Sequence, residues 1–585
     1  MTSLLEQLPN EIIIDILQYL DAYDLFQSFN DLNFRFNQLQ SVLLLSVNIS
    51  HSLSKRLFDY YCTNIIPKYL TQIVVLEMSD RYNRLTQFHK LFQVDMFKNV
   101  RSLILIDPIQ YNLELIMKNL SKLNHIEHLQ IEAYGPQKVD LSLCSNIMIK
   151  SIFSKTTTLK RVSLEFYSLI LLHKTSIQTS NIEYLNINGC YIDEFVRLLK
   201  HLPKLKHVSA NIDYRENADD LIDCEIYANI GQYVAHLTHI KIKVSFISFD
   251  EIERLLKNIP QLKKLTLSAM LIDYANGARW EKLITKSLPL LEQFSLDISD
   301  RVSSDIINID NIIQSFSTPF WIIERQWFII VDCTQLVDSE FLLYTIPRPK
   351  NNNFDMQLYQ MQTGSTIPST FKNVYAKIDR LDITLSNIHL PLIVRQFIDV
   401  KSLTLYSQLT SVDNTTTKII NDLSILVTFS NLNHLHLIDK CYPSKLLEVI
   451  LTEASNIITL TVPYCVLLDM NLINDKICSN LTSVTVTMNN NDEHFNVKIL
   501  ERMSFIFENV LILSFELTNI DDLYLILPLT LRKMKKIGEL SVCLKNGIFS
   551  ECFQHWLKTY LNLNDLLSTM SIEYDNLFNN LLLTQ

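Results

Sequence analysis

The sequence predicts a mixed α/β fold, in which a short all-helical module precedes a long solenoid of strand-helix units. An apolar-x-x-apolar-x-apolar pattern recurs along the chain at intervals of 22 to 33 residues, and the segments between its occurrences have helical spacing. Residues 4–45 break that pattern. Each strand-helix unit has an apolar face that only stacked neighbours can cover, so the recurrence predicts a solenoid.

The recurring pattern is clearest at residues 182–187 and 262–267. Its last two apolar residues are two apart, which is the period of a strand, so both side chains are expected to point into a core. The middle apolar residue marks sixteen units: Ile73, Leu103, Leu129, Val162, Leu185, Val208, Ile240, Leu265, Phe294, Leu381, Leu403, Leu435, Leu460, Val484, Leu513 and Leu540.

The marked units divide the chain into four predicted segments. These are a helical module at 1–48, a linker or N-terminal cap at 49–72, the solenoid at 73–548 and a C-terminal helical cap at 549–585. The interval between Phe294 and Leu381 is about three units long, so it predicts degenerate repeats around 300–375. Within it, Trp321 and Trp327 are interpreted as buried aromatic packing in preference to an exposed binding ridge.

Composition excludes several classes of protein. Hydrophobic residues make up 48% of the 585 residues, which indicates a folded chain. The net charge is −10 and there is no dense Lys/Arg tract, so no nucleic-acid partner is expected. No apolar run is long enough to span a membrane and no basic leader is present, so we expect no membrane partner and a cytoplasmic or nuclear location. The ten cysteines form no CxxC pair and are interpreted as reduced thiols.

The motifs of catalysis and cofactor binding are missing from the sequence. Only seven glycines occur, and no phosphate-binding glycine loop, HExxH motif or GxSxG elbow is present. The histidine pairs 125/128, 236/239 and 434/436 lack a complete ligand set, so no metal is expected. An enzyme with its own ligase thiol is a further reading, but no acid or base can be assigned beside any cysteine. We expect no cofactor and no catalytic residue.

The N-terminal segment resembles the F-box family. The matching elements are Leu8-Pro9, Glu11-Ile12, Tyr19-Leu20, Asp24-Leu25 and Asn33-Phe34-Arg35-Phe36. The resemblance implies a Skp-type adaptor, and through it a cullin, as partners. Carried onto this sequence, the expected adaptor contacts are Leu8, Pro9, Ile12, Ile13, Ile16, Leu17, Leu20, Leu25 and Phe26.

The amino-acid pattern of this segment also predicts a partner without the resemblance. Successive helical residues are about 100° apart, so the isoleucines and leucines between Ile12 and Leu20 cover more than one face of a short helix. A module of about 40 residues is too small to bury the remainder by itself. The covering surface is either a second protein or the solenoid that this module would cap.

The repeats resemble leucine-rich repeats, and two units match the cysteine-containing subtype found in F-box proteins. Their matching residues are Ile182, Leu185, Ile187, Cys190 and Ile457, Leu460, Val462, Cys465. The resemblance implies a right-handed, horseshoe-like βα solenoid. The whole chain also resembles a lineage-expanded invertebrate F-box group, through residues 277–280, 318–328 and 343–347.

The polar residues of the repeat strands are expected to line one broad surface that holds a protein target. The predicted members of that surface are Tyr184, Asn186, His207, His239, Lys241, Lys264, Thr266, His434, His436 and Thr485. The predicted function is the substrate-recognition subunit of an SCF-type (cullin-RING) ubiquitin ligase, itself non-catalytic. The alternative is a scaffold or inhibitor whose N-terminal helices only cap the solenoid.

Overall fold

The fold was analysed in a computed structural model of the chain. It describes residues 5–30, 32–49, 53, 55–133, 141–154, 157–166, 177–214, 224–227, 229–303, 308–334, 338–346, 353–357, 361–368, 378–385, 397–407, 416–438, 442, 444–469, 480–488, 501, 503, 507, 509–517, 519–534, 536–545, 549–563, 571–575 and 580–584. The chain divides into two compact units, unit 1 at Met1–Asp300 and unit 2 at Arg301–Gln585. The predicted α/β class is confirmed, with long parallel sheets and helices between the strands.

Unit 1 is built around ten parallel strands whose order in the sheet follows their order in the chain. They are β1 Leu45–Ile49, β2 Ile73–Ser79, β3 Ser102–Ile106, β4 His128–Ala133, β5 Arg161–Phe166, β6 Tyr184–Tyr191, β7 His207–Asp213, β8 His239–Ser245, β9 Lys264–Ala269 and β10 Gln293–Ser303. This arrangement is solenoid-like, because each strand pairs with the next one in sequence.

The register of this sheet confirms the repeat pattern with one correction. From Leu103 onward, every predicted marker of unit 1 is paired with the marker of the next strand and is buried. The residue in register with Leu103 on β2 is Leu76, so the predicted marker Ile73 is wrong by three positions. Val47 on β1 continues the row, which places a repeat strand inside the predicted helical module.

Twelve helices accompany these strands within the described part of unit 1. They are α1 Asn10–Leu17, α2 Ala22–Phe29, α3 Phe34–Val42, α4 Lys55–Tyr60, α5 Ile66–Tyr69, α6 Arg84–Leu91, α7 Gln110–Asn119, α8 Leu141–Ile152, α9 Ile192–Leu199, α10 Ile230–Tyr233, α11 Phe249–Lys257 and α12 Gly277–Ser287. Helix α11 shows how the helix of one strand-helix repeat is packed. It buries Ile252, Leu255 and Leu256 at helical spacing, and the carboxylate of Asp273 accepts a 2.8 Å hydrogen bond from the Phe249 amide at its first turn.

The segment at 49–72, predicted as a linker or N-terminal cap, is packed as a cap in its described residues. It holds α4, a π-helical turn at Tyr61–Ile65 and α5. The ring of Tyr69 stacks on Phe26 with centroids 4.3 Å apart, and the Tyr61 hydroxyl accepts a 3.1 Å hydrogen bond from the Tyr23 amide. Gln72 donates hydrogen bonds of 2.8 Å to the carbonyls of Gln40 and Leu43. The N-terminal module is therefore packed against the cap segment that precedes β2.

Unit 2 contains a second long sheet and an antiparallel group of strands. The strands are β11 Ile329–Thr334, β12 Asp338–Thr345, β13 Asn353–Gln357, β14 Met361–Ser365, β15 Arg380–Leu385, β16 Ser402–Ser407, β17 His434–Leu437, β18 Thr459–Pro463, β19 Ser483–Thr487, β20 Ile512–Leu517, β21 Glu539–Leu544, β22 Ser571–Asp575 and β23 Asn580–Thr584. Strand β13 and strands β15–β21 pair in parallel, and the markers Leu381 to Leu540 are all in register and buried.

Two predictions for unit 2 hold only in part. In the stretch around 300–375, β13 is a parallel strand in register with the marker Leu381, but β11 pairs antiparallel with both β12 and β14. Residues 304–307, 335–337, 347–352, 358–360 and 369–375 of that stretch lie outside the described residues. The C-terminal cap is not purely helical, because β22 and β23 follow its helix, where β23 pairs antiparallel with both β21 and β22. Of the two tryptophans, Trp321 is buried as predicted and Trp327 is half-buried.

Unit 2 has six helices in its described residues. They are α13 Ile309–Ser315, α14 Thr416–Leu426, α15 Ser444–Glu453, α16 Tyr464–Asp469, α17 Leu523–Lys533 and α18 Glu551–Leu563. Their buried leucines and isoleucines pack with the strand markers into one apolar cluster that runs from Ile330 to Leu583. None of the helices in the described ranges is both long and apolar enough to cross a membrane.

Candidate functional site

Helix α1 carries an apolar stripe that the rest of the described chain does not cover. Pro9, Ile12 and Ile16 are three and four residues apart, so they lie within about 60° of one another around the helix axis. Tyr19 follows in the turn after α1, where its amide donates a 3.2 Å hydrogen bond to the Ile16 carbonyl. The exposed fractions are 45% for Ile12, 40% for Ile16 and 92% for Tyr19. We name these four residues the N-terminal stripe.

Side chains from α3 hold the start of the stripe in place. Arg35 donates from Nε to the Asn10 carboxamide oxygen at 2.8 Å and from its terminal nitrogens to the carbonyls of Glu6 and Leu8. Asn33 caps α3 by accepting from the Phe36 amide at 3.0 Å, and it donates to the Glu6 carboxylate at 2.8 Å. The Leu8-Pro9 turn is thus fixed by the Asn33-Arg35 segment, although 24 residues separate them in the chain.

The nine predicted adaptor contacts fall into two groups. Pro9, Ile12 and Ile16 are exposed, and Leu8 and Leu20 are half-buried, so these five are accessible to a partner. The other four are wrong as contacts, because they form the core of the module: Ile13, Leu17, Leu25 and Phe26. Ile13 and Leu17 are about 100° and about 140° around the axis of α1 from Ile12 and are buried, and Phe26 packs on Tyr69.

Two accessible aromatic residues were not among the predicted contacts. Tyr19 and Phe34 are the most exposed large apolar side chains of the module, and Phe34 is 77% exposed between Asn33 and Arg35. Both lie in the Tyr-Leu and Asn-x-Arg-Phe elements of the sequence pattern. The sequence pattern could have identified both residues as candidates, but it does not indicate which of its members face solvent.

The outward-facing residues of β1–β10, which we name the unit 1 sheet face, bring together seven of the ten predicted target residues. Tyr184, His207, His239 and Lys264 occupy consecutive positions of one row across β6–β9. The rings of Tyr184 and His207 are stacked with centroids 4.6 Å apart, and those of His207 and His239 are 4.0 Å apart. The guanidinium of Arg161 extends this row over the Tyr184 ring at 4.8 Å.

A second row of the unit 1 sheet face runs parallel to the first. Asn186, Lys241 and Thr266 belong to it, with Ser209 between Asn186 and Lys241. Lys241 is exposed, but Thr266 is almost completely buried, so its prediction as a target contact is wrong. Its short side chain lies between those of neighbouring strands and does not reach the surface.

Charges are segregated along the unit 1 sheet face. Glu132 and Glu165 are paired in register on β4 and β5, where Gln130 and Asn186 donate hydrogen bonds to them. Lys241, Lys243 and Lys264 are exposed on β8 and β9. Sequence reasoning missed Lys243 and Arg161. Both stand at outward-facing positions next to the buried markers of their strands, so the strand period was the signal that could have found them.

The remaining predicted target residues lie on the outward-facing side of the unit 2 sheet. His434 Nδ1 and His436 Nδ1 are each 2.9 Å from a threonine hydroxyl on the next strand, at Thr459 and Thr461. Thr485 continues the row of His436 and is half-buried. The two histidines are partnered within their own sheet, and with the neighbouring threonines they form an uncharged, hydroxyl-rich group.

Burial is the main cause of the pKa shifts of the histidines and the cysteine thiol on the repeat strands. It lowers the pKa of His207, and the neighbouring His239, Lys206 and Lys264 lower it further. Burial is also the main cause of the lowered pKa of His239 and His436. Burial raises the pKa of the Cys190 thiol, which packs as a buried apolar group as predicted, whereas Cys465 is half-buried. Among the described residues, no three His, Cys, Asp or Glu side chains are grouped as metal ligands.

Comparison with known proteins adds no assignment, since no protein-family model matches the chain and no curated protein matches it. Any functional proposal therefore depends on the geometry of the N-terminal stripe and of the two sheet faces.

Proposed function

We propose that this protein is the substrate-recognition subunit of an SCF-type (cullin-RING) ubiquitin ligase, with an F-box at its N terminus and leucine-rich repeats in the two sheets. The observation that carries the proposal is the N-terminal stripe. Ile12 and Ile16 on α1, together with Pro9 before it and Tyr19 after it, face solvent, while Ile13 and Leu17 of the same helix are completely buried. Contiguous exposed apolar surface is typical of a protein-binding site.

The proposal assigns the stripe to a Skp-type adaptor and the sheet faces to a protein target. Strand β1 joins the module to the sheet of unit 1, and Gln72, just before β2, donates hydrogen bonds to the Gln40 and Leu43 carbonyls of the module. An adaptor bound to the stripe would therefore hold the first strands of the sheet in a defined position. The protein contributes proximity between target and ubiquitin-charged enzyme, so it needs no nucleophile of its own.

A non-catalytic scaffold or inhibitor is the second candidate, and a specific observation favours it. The module packs on the cap segment through Phe26, Tyr23 and Gln72, as a solenoid cap does. That role accounts for the buried side of α1. It gives no reason for Ile12, Ile16 and Tyr19 to be exposed.

Co-purification with a Skp-type adaptor separates the two candidates. The full chain is co-expressed with the adaptor as wild type, as Ile12→Asp/Ile16→Asp, and as the control Tyr111→Asp/Met270→Asp, which changes two exposed apolar residues of unit 1 outside the module. The proposal predicts that the wild type and the control retain the adaptor and that the stripe variant loses it. A wild type that does not bind, or equal loss in both variants, would leave the scaffold role.

A further inference from the structure

Lysines at the start of the unit 1 strands are paired with carboxylates. The ammonium group of Lys160 is 2.8 Å from the Glu127 carboxylate, and that of Lys206 is 2.7 Å from Glu183. Lys263 is 3.9 Å from Glu292. Each pair joins two neighbouring strand-helix repeats at the start of their strands. The positive charges of these three lysines are therefore balanced within the protein.

Lysines on the unit 1 sheet face have no such partners. Lys241, Lys243 and Lys264 are exposed, and none of them makes an ion pair or a hydrogen bond within the part of the chain that the structure describes. We name these three residues the basic patch. Lys241 and Lys243 are two residues apart on one strand, so they point to the same side at about 7 Å spacing. Lys264 is the register partner of His239 on the next strand.

The composition of the chain makes this unpaired group informative. The protein carries a net charge of −10, so carboxylates outnumber cations overall, yet three neighbouring cations are left without one. Of the outward-facing carboxylates, Asp213 on β7 is diagonal to Lys243 and accepts a 2.9 Å hydrogen bond from the Tyr214 amide, and Asp297 on β10 is buried. Glu132 and Glu165 are farther away. Strand β5 is three strands from β8, which is about 14 Å at the usual strand spacing and beyond the Debye length of about 8 Å at physiological salt.

The neighbouring side chains restrict what the basic patch can bind. A nucleic acid would need a longer cationic track and would meet Glu132 and Glu165 on the same face. The patch contains no arginine, and arginine is the side chain that binds phosphate through two parallel hydrogen bonds. Lysine ammonium groups suit separate carboxylates, and the half-buried rings of His207 and His239 lie beside them.

We propose that the basic patch binds a carboxylate-rich segment of a protein, in which aspartate and glutamate side chains reach the three lysines. The inference rests on the proposed function in identifying that protein as the ubiquitination target. The binding itself requires no adaptor. Strands β7–β9 span about 10 Å, so about four extended residues cross the patch and a peptide of about twelve residues covers it with flanks.

The test uses the full-length protein and fluorescent peptides of about twelve residues. One peptide alternates acidic residues with serine and glycine, a second has Asn and Gln in place of the acids, and a third carries phosphoserine in place of the acids. Affinity is measured by anisotropy for the wild type, for Lys241→Ala/Lys243→Ala/Lys264→Ala, and for the control Lys160→Ala/Lys206→Ala/Lys263→Ala. Both variants remove three positive charges from unit 1, and the three control lysines differ from the patch lysines in position and in being paired with carboxylates.

We expect the acidic peptide to bind the wild type and the control with similar affinity. The patch variant should bind at least about tenfold more weakly, since each exposed ion pair contributes a fraction of a kcal/mol to about 1 kcal/mol. Preference for the neutral or the phosphoserine peptide, or equal loss in both variants, overturns the inference. Adaptor co-purification is measured on the same variants. If the patch variant binds the acidic peptide as the wild type does, and the adaptor is still retained, this inference alone is contradicted.

Discussion

At the scale of the residue, the imidazoles of His207 and His239 report on the electrostatics of the unit 1 sheet face. Both have a lowered pKa, because burial and the nearby lysines disfavour the imidazolium. Their unfolded-state pKa is about 6.5, so the unfolded chain binds protons first as the pH falls. The stability that these neutral histidines contribute is present above about pH 6.5 and is lost as the pH falls toward their folded-state pKa.

Removing the charge of Lys264 should raise the pKa of both histidines. Lys264→Met keeps the apolar stem and deletes the ammonium group that lowers each pKa. The measurement is an NMR titration with ¹³C-labelled histidine, and the control is Lys122→Met, whose lysine pairs with Asp95 elsewhere in unit 1. An unchanged pKa in Lys264→Met would show that the row of rings is not arranged as described.

Adjacent isoleucines of α1 should differ sharply in their effect on stability. Ile13 is fully buried, so Ile13→Ala should cost about 2–5 kcal/mol of the free energy of unfolding of the module. Ile12→Ala should cost less than about 1 kcal/mol because Ile12 is half in solvent. Pulse proteolysis in urea with a tag at the N terminus measures both. Similar losses would mean that the two sides of α1 are equally packed.

Sequence reasoning could identify the residue types of the module but not their direction. Ile12, Ile13 and Ile16 are chemically equivalent, and a helix that is apolar on several sides gives no hydrophobic face to orient it. The orientation comes from contacts distant in sequence, namely Arg35 on the Leu8 turn and Tyr69 on Phe26. On the strands, the alternation of buried and outward positions was enough to place His207, His239 and Lys241 correctly.

At the scale of the element, packing between neighbouring strand-helix repeats leaves little room at the helix ends. A Cβ on Gly231 of α10 would overlap the backbone carbonyl of Asn258, at the end of α11. Gly231→Ala should therefore lower the free energy of unfolding of unit 1 by about 1–3 kcal/mol. Gly538→Ala is the control, since its nearest neighbour would be the Leu511 carbonyl oxygen at an ordinary 3.8 Å. Equal calorimetric midpoints for the two variants would contradict this packing.

Strands with the repeat pattern were predictable, and strands without it were not. The markers from Leu103 to Phe294 and from Leu381 to Leu540 are buried in register because each strand repeats the same apolar pair. Strand β1 was assigned to the helical module, although the alternation of Leu45, Val47 and Ile49 indicates a strand. The antiparallel strands β11, β12 and β14 have no counterpart in the repeat, and only tertiary pairing defines them.

At the scale of the whole molecule, each unit stacks parallel strands in chain order, ten in unit 1 and eight in the second long sheet among the described residues. Such an arrangement presents outward-facing rows of side chains to partners, and its stability comes from contacts between neighbouring strand-helix repeats. The two sheet faces differ in chemistry. Unit 1 presents segregated charges around a row of stacked rings, and unit 2 presents threonines and histidines bonded to one another.

Hydrogen-deuterium exchange of the full-length protein with and without a purified Skp-type adaptor tests the central claim most directly, because it locates the bound surface on the native chain. The account predicts that the adaptor slows exchange in peptides covering residues 8–20, around the N-terminal stripe, and leaves β6–β9 unchanged. Exchange in residues 8–20 that is identical with and without adaptor, at concentrations where both proteins are folded, would contradict the account.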